Sequence, residues 1–200
     1  VSAEYLLWWT NGVRLPALIT SNPSATPSLN DPNTQVLFGN QFANDEARHG
    51  FRIETGYWLD CDCTCALEAS FFLLASQGEG LNAGSANGSR IIGRPFFNVQ
   101  TGQPDAELVS FPGVVSGFVN ADASAGDLLG ADVGWRRALC CAPCYRLDWE
   151  IGYRFFYFAD RVRVSEQLTP QQGVVVPGTQ IDLADSFSAS NQFHGGYLGI

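Results

Sequence analysis

The sequence predicts an all-β protein: an antiparallel up-and-down barrel that crosses a membrane as strands. Three observations predict it. Apolar and polar residues alternate with a period of two in segment after segment, as strand side chains do when they point to opposite faces. Charged residues make up only 16% of the chain and hydrophobic residues 46%, where a soluble domain carries about 25% charged residues. The connections between alternating runs are in turn long and short, as they are on the two sides of an outer-membrane barrel.

The elements follow in order. Ala3–Trp9 opens as a strand, and a long connection rich in Pro, Asn and Ser, Thr10–His49, follows it. Gly50–Asp60 sets Phe51, Ile53, Thr55, Tyr57 and Leu59 against Arg52, Glu54, Gly56 and Asp60. Past the short Cys61–Thr64, the strand Cys65–Ser76 sets Leu67, Ala69, Phe71 and Leu73 against Glu68 and Ser70. A loop rich in Gly and Asn, Gln77–Ser89, leads to Arg90–Val99, then the short Gln100–Asp105 and Ala106–Pro112. Pro95 and Pro112, which cannot donate to a ladder, interrupt these two segments. After the loop Gly113–Ala125, the strand Gly126–Leu139 sets Leu129, Ala131, Val133 and Trp135 against Gly130, Asp132, Gly134 and Arg136.

The clearest alternation follows the short Cys140–Cys144. In Tyr145–Glu166, Leu147, Trp149, Ile151, Tyr153, Phe155 and Tyr157 share one face, and Arg146, Asp148, Glu150, Gly152 and Arg154 share the other. The long Gln167–Ile181 leads to Asp182–Ile200, where Phe187, Ala189 and Phe193 oppose Ser186, Ser188, Gln192 and His194. The chain thus reads as about eight strands, the last two longer than the roughly 10 residues that cross a bilayer. No apolar run reaches the roughly 18 residues of a membrane helix. In lipid the chain therefore spans as a barrel, since helices and closed barrels alone satisfy every backbone polar group there.

This reading assigns two faces. Arg52, Glu54, Glu68, Asp132, Arg136, Arg146, Asp148, Glu150 and Arg154 are expected to face the lumen as a balanced network of charges. Trp9, Tyr57, Trp135, Leu147, Trp149, Ile151, Tyr153 and Tyr157 are expected to face lipid or form interfacial girdles, with Trp8 and Trp58 beside them, because amphipathic rings settle at the headgroup level. The alternative is a secreted or cell-surface β-sandwich that binds glycans or self-assembles, in which the same aromatic residues are core.

Six cysteines form two triplets, Cys61/Cys63/Cys65 and Cys140/Cys141/Cys144, both in or beside short turns and so on one side of the barrel. An oxidising periplasm favours disulfides, with Cys61–Cys65 and Cys140–Cys144 the local choices. Zinc spacing is met only loosely by Cys61–Cys65 and Cys141–Cys144, so no metal and no cofactor are expected. His49 and His194 read as polar strand or loop residues. No G-x-S-x-G or H-E-x-x-H motif occurs, and no enzyme activity is expected. The net charge of −9 and the absence of a Lys/Arg cluster longer than Arg136-Arg137 leave no footprint for nucleic acid. Val1 does not open a signal peptide and no Met occurs; the chain reads as a processed form, and export is compatible with that.

Several segments together resemble one family. They are Ala3-Glu4-Tyr5-Leu6-Leu7-Trp8-Trp9, Val36-Leu37-Phe38-Gly39, Gly50-Phe51-Arg52-Ile53 with Gly56-Tyr57-Trp58-Leu59-Asp60, Arg94-Pro95-Phe96-Phe97-Asn98-Val99, Tyr145-Arg146-Leu147-Asp148 and Asn191-Gln192-Phe193-His194-Gly195-Gly196. The chain resembles, over nearly its whole length, the family of bacterial outer-membrane β-barrel porins with the serial label seven. The resemblance implies export to the bacterial outer membrane, contact with its lipid, and porin-like passage of small solutes or structural anchoring. It implies no catalytic residue. It also implies a single barrel domain over residues 1–200 that lacks C-terminal strands of the family, either because the chain is a fragment or because a homo-oligomer or partner chain supplies the rest.

Overall fold

A computed structural model describes all residues from Val1 to Ile200. The fold is almost entirely antiparallel β-structure, and no sheet closes on itself. The strands in chain order are β1 (Ser2–Trp9), β2 (Val13–Arg14), β3 (Ile19–Ser21), β4 (Gln35–Phe38), β5 (Phe42–Ala43), β6 (Ala47–Trp58) and β7 (Cys65–Leu74). They continue with β8 (Gln77–Ser85), β9 (Ile92–Asn98), β10 (Gln103–Ser110), β11 (Val115–Ala125), β12 (Leu128–Ala142), β13 (Tyr145–Pro170) and β14 (Ile181–Gly199).

One eight-stranded sheet carries the wall, in the order β1-β6-β7-β12-β13-β11-β8, with β14 added on β13. β13 explains the unusual order. Its first half pairs with β12 and its second half with β11, while β14 runs along its other edge. β7 and β8 run on from each other, as do β11 and β12, so these pairs act as two long strands broken at Ala75-Ser76 and Gly126-Asp127. Across the second break the β11–β12 strand holds one more residue than β13, from Ala125↔Asp160 to Leu129↔Tyr157. An extra residue on one strand is a bulge, and it inverts which residue parity points to which face.

Side chains fasten the breaks. Arg48, buried on β6, donates from Nε to the Ala75 carbonyl at 3.0 Å and from Nη2 to the Gly126 carbonyl. The Ser76 N–H donates to Asp127 Oδ1 at 2.8 Å, and Gln77 Nε2 to the Ala47 carbonyl at 2.8 Å. Backbone groups that lose their ladder partners are thereby satisfied.

The expectation of about eight strands in a single barrel is corrected in three ways. The segments expected as Arg90–Val99 and Ala106–Pro112 are β9 and β10, and they do not cross with the wall. They belong to a separate sheet, β10-β9-β3-β4, built from the two long connections. The segments expected as loops at Gln77–Ser89 and Gly113–Ala125 instead contain wall strands β8 and β11. Finally β1, β8 and β14 each have an unpaired edge, so the wall is open.

The buried core sits in one half of the molecule only. Ile19, Phe38, Ile92 and Val109 of the small sheet pack on Val119, Ala121 and Ala123 of β11 and on Val164 and Leu168 of β13. Thr20, fully buried, donates its hydroxyl to the Pro27 and Gly93 carbonyls at 2.7 and 3.2 Å, joining β3 to β9 within that sheet. The other half, from β1 through the first part of β13, has no layer packed on either face. Long connections leave at one end (residues 10–46, 86–114 and 171–180) and short turns at the other (59–64 and 143–144).

Candidate functional site: the charged face and its cavity

The register brings the charged residues expected at the lumen onto one face. Ser2 lies across from Glu54, Glu54 from Ser70, Ser70 from Asp132 and Asp132 from Arg154. Arg136 lies across from Glu150. Each arginine finds an acid: Arg136 lies 2.6 Å from Glu68, Arg154 3.3 Å from Asp132, and Arg52 3.5 Å from Glu4 and 3.9 Å from Glu54. Ser70 donates to Asp132 at 2.9 Å and the Tyr197 hydroxyl to Glu150 at 2.8 Å. Arg146 and Asp148 lie on the same face at the short-turn end, 2.8 Å apart. The Arg146 guanidinium also covers the Trp58 ring at 5.1 Å and donates to the Cys63 carbonyl.

Two glycines shape this surface. A Cβ on Gly152 would lie 2.4 Å from the Tyr197 ring, and one on Gly134 would lie 2.2 Å from its hydroxyl. Tyr197 therefore lies flat over β12 and β13 because both neighbours lack side chains.

The expected aromatic set shares the opposite face. Trp9, Tyr57, Trp135, Leu147, Trp149, Ile151, Tyr153 and Tyr157 all fall there by register, with Trp135 packed edge-on to Trp149 at 5.1 Å. Nothing covers them: Tyr57 is 74% exposed, Ile151 48% and Tyr153 46%. On this face the Tyr153 hydroxyl pairs with His194 Nδ1, and Tyr5 with His49. Past Tyr157 the same face of β13 turns polar, with Arg161, Arg163, Ser165 and Gln167.

Sequence reasoning misplaced several aromatic residues. Trp8 and Trp9 are adjacent in β1 and cannot share a face; Trp8 turns to the charged side and packs against Phe72 at 5.4 Å. Phe72 in turn packs against Phe156 at 5.9 Å. Trp58 also lies on the charged side. On β14 the assignment is inverted, because Phe156↔Phe193 and Val162↔Phe187 place both phenylalanines on the charged side and leave Gln192 and His194 with the aromatic face. The parity of Trp8 was a readable signal; that of β14 was not, since both its faces are poor in large apolar residues.

A cavity of about 780 Å³ opens on the charged face, lined by Arg52, Glu68, Asp132, Arg136, Arg154 and the rings of Trp8, Phe72 and Phe156. Further along the wall, Arg94 of β9 ties the small sheet down. It pairs with Glu166 of β13, whose side chain is fully buried, and lies 2.7 Å from Asp185 of β14. Burial pushes the Glu166 carboxyl above the usual range, and Arg94 pulls it back only part of the way.

The cysteines depart from expectation. All six are free thiols. The register sets Cys140 across from Leu147 and Cys141 across from Arg146, leaving Cys144 in the turn rather than opposite Cys140. At the other turn the Asp60 carboxylate accepts the Thr64 and Cys65 N–H groups at 2.8 and 3.1 Å, so it closes the loop that a Cys61–Cys65 bridge would have closed. The Thr64 hydroxyl holds Asp60 below the usual carboxylate range. Trp135 Nε1 donates to Cys65 Sγ at 2.7 Å. Both triplets do lie at the short-turn end, where Arg146 bonds the backbone of Cys63 and lies across from Cys141.

No curated protein matches the chain significantly. A model of one protein family matches it from end to end, and its subject agrees with an antiparallel wall that bears one charged and one bare aromatic face. Over residues 1–200 the match is to the family described as "Putative beta barrel porin-7", and the chain belongs to that family.

Proposed function

We propose that this wall is part of a transmembrane β-barrel of the bacterial outer membrane, with its aromatic face in lipid and its charged face on the lumen. The family is of porin type, structural rather than catalytic. One observation carries the reading: a continuous apolar face on β1, β6, β7, β12 and β13 that no other part of the chain covers. Soluble monomers rarely expose an apolar patch beyond a few hundred Å². From Leu147 to Tyr157 the band rises about 33 Å along the strand at about 3.3 Å per residue. A tilt of about 40° brings that to about 25 Å, the height of the apolar belt of outer-membrane barrels. A sandwich would need a second sheet on this face, and the small sheet packs on the other one, beyond the band.

The residues bound one barrel domain. Its free edges within the belt, β1 and β14, are completed by further strands, whether of the same protein, a second copy or a partner chain, because an unpaired edge in hydrocarbon leaves its N–H and C=O groups unsatisfied. Porin-like passage of small solutes is favoured over pure anchoring by the cavity and its ion-paired lining. The test has two parts. The protein should require detergent and run faster on a gel unheated than heated. In planar bilayers it should give discrete conductance steps. Full solubility without detergent overturns the barrel, and silence in the bilayer overturns passage while leaving anchoring.

A further inference from the structure

The solute class follows from what the cavity on the charged face combines. Its volume of about 780 Å³ falls within the roughly 300–1,000 Å³ of small-molecule sites. Trp8, Phe72 and Phe156, from β1, β7 and β13, contribute rings in a row, at centroid spacings of 5.4 and 5.9 Å. Trp8 is 37% exposed, and all three rings line the cavity. In a lumen that only conducts ions such rings have no use, since they add apolar surface to a hydrated wall.

The charges beside them carry the second half of the argument. Arg52, Arg136 and Arg154 are each matched by an acid. No arginine of the lining is left over to hold an anionic solute, and of its four acids, Glu54, Glu68, Asp132 and Glu150, only Glu150 lacks an arginine and accepts the Tyr197 hydroxyl instead. Such a surface has many donors and acceptors and little net field. A solute that fits both parts is uncharged, carries many hydroxyls, and has an apolar ring face formed by axial C–H groups. We propose that this cavity takes a neutral oligosaccharide, its sugar rings against Trp8, Phe72 and Phe156 and its hydroxyls on the paired charges of Arg52, Arg136 and Arg154. The proposal rests on the lumen assignment made above for the charged face.

The test uses the purified full chain in detergent, with maltohexaose, cellohexaose and laminarihexaose as probes, and calorimetry as the readout. At least one probe should bind, and its affinity should hold between low and high salt, because screening weakens ionic attraction and leaves neutral contacts alone. Trp8→Leu should weaken binding roughly tenfold, the scale set by one aromatic contact. Phe156→Leu, a milder change of volume, keeps the test decisive if Trp8→Leu does not fold. Phe71→Ala, on the opposite face, should leave the affinity unchanged. Bilayer conductance is recorded on the same preparations. A protein that conducts ions but binds none of the three probes overturns the oligosaccharide proposal and leaves the porin reading standing. Probe binding without conductance supports the site and removes passage. Stronger binding of benzoate or a galacturonate oligomer than of any neutral probe overturns the proposal, as does binding that neither ring substitution weakens.

Discussion

Ile151→Arg puts the facing assignment to its most direct test. Ile151 lies on the aromatic face, across from Trp135 on β12 and Leu198 on β14. Four of the ten residue steps from Leu147 to Tyr157 precede it, which sets it about 10 Å up a belt of about 25 Å and within about 3 Å of its middle. At the midplane a lipid-facing Arg costs about 2–4 kcal/mol. At 1.4 kcal/mol per decade the folding equilibrium falls by roughly 30- to 700-fold. The control is Ser70→Arg. Ser70 lies two strands over and three residue steps along by register, on the charged face beside Asp132 and Glu54, where an added cation meets acids and the expected penalty stays below about 1 kcal/mol. Both variants are refolded into vesicles across a urea series, and the folded fraction is read from the heat-dependent gel shift. Equal midpoints for the two variants, or a larger loss for Ser70→Arg, would refute the assignment of faces.

Further outcomes are expected. An impermeant thiol reagent should miss all six cysteines in intact cells and label them after lysis, since both triplets lie at the short-turn end; labelling of one triplet from outside contradicts the strand count. Gly152→Ser should be only mildly destabilising by urea titration, because its Cβ displaces the movable end of the Tyr197 side chain and with it the hydroxyl's bond to Glu150, and Tyr197→Phe, which removes that bond alone, should cost about as much. Arg94→Ala should loosen the small sheet by about 3–5 kcal/mol, since it strands the buried Glu166 carboxylate; hydrogen exchange in β9 and β10 reads this, and Glu166→Gln in the same chain should recover part of it. Glu166 binds its proton more tightly folded than unfolded. Protection of that sheet should therefore be greatest below the unfolded carboxyl value and decline as pH rises toward the raised folded one; an opposite slope would refute the burial argument.

The alternation of Phe51–Leu59, Leu67–Leu73, Leu129–Trp135 and Leu147–Tyr157 was enough to place four strands and both of their faces, because one residue parity holds through each. Legibility stopped where the face of that parity flips. At Ala75-Ser76 and Gly126-Asp127 the apolar residues keep odd numbers on both sides, but the bulge turns odd positions from one face of the sheet to the other, and a period-two reading cannot see that turn. Beyond the breaks the pattern weakens as well. β8 contains Gly78, Gly80 and Gly84 and reads as a loop, yet at Gly80 the missing side chain lets the Ala121 carbonyl of β11 come within 2.9 Å of where a Cβ would stand. β11 alternates Val115, Gly117, Val119, Ala121 and Ala123 with Ser116, Phe118, Asn120, Asp122 and Ser124, but the small residues give a faint signal and Phe118 falls on the otherwise polar side. The small sheet was opaque for a different reason: β9 and β10 look like any hairpin, and only tertiary packing decides that they leave the wall. The charged half of the cavity was visible as alternating charges, whereas its aromatic row was not, since Trp8, Phe72 and Phe156 come from three distant strands and meet only through register.

β13 runs unbroken for 26 residues, well past the point where its bare face turns polar at Arg161. From Tyr157 to Pro170 the strand climbs about another 30 Å at the same tilt. In the proposed setting the rim that carries the small sheet therefore stands clear of the bilayer by about the thickness of the bilayer itself. The molecule has the proportions of a turret rather than a ring set flush in a floor. Large visitors, such as an antibody or a phage tail, meet the turret top and never approach the lipid. Neighbouring molecules in a crowded membrane have two separate levels at which to touch, one oily and one aqueous, so lateral order at the rim can change without any change in the belt below.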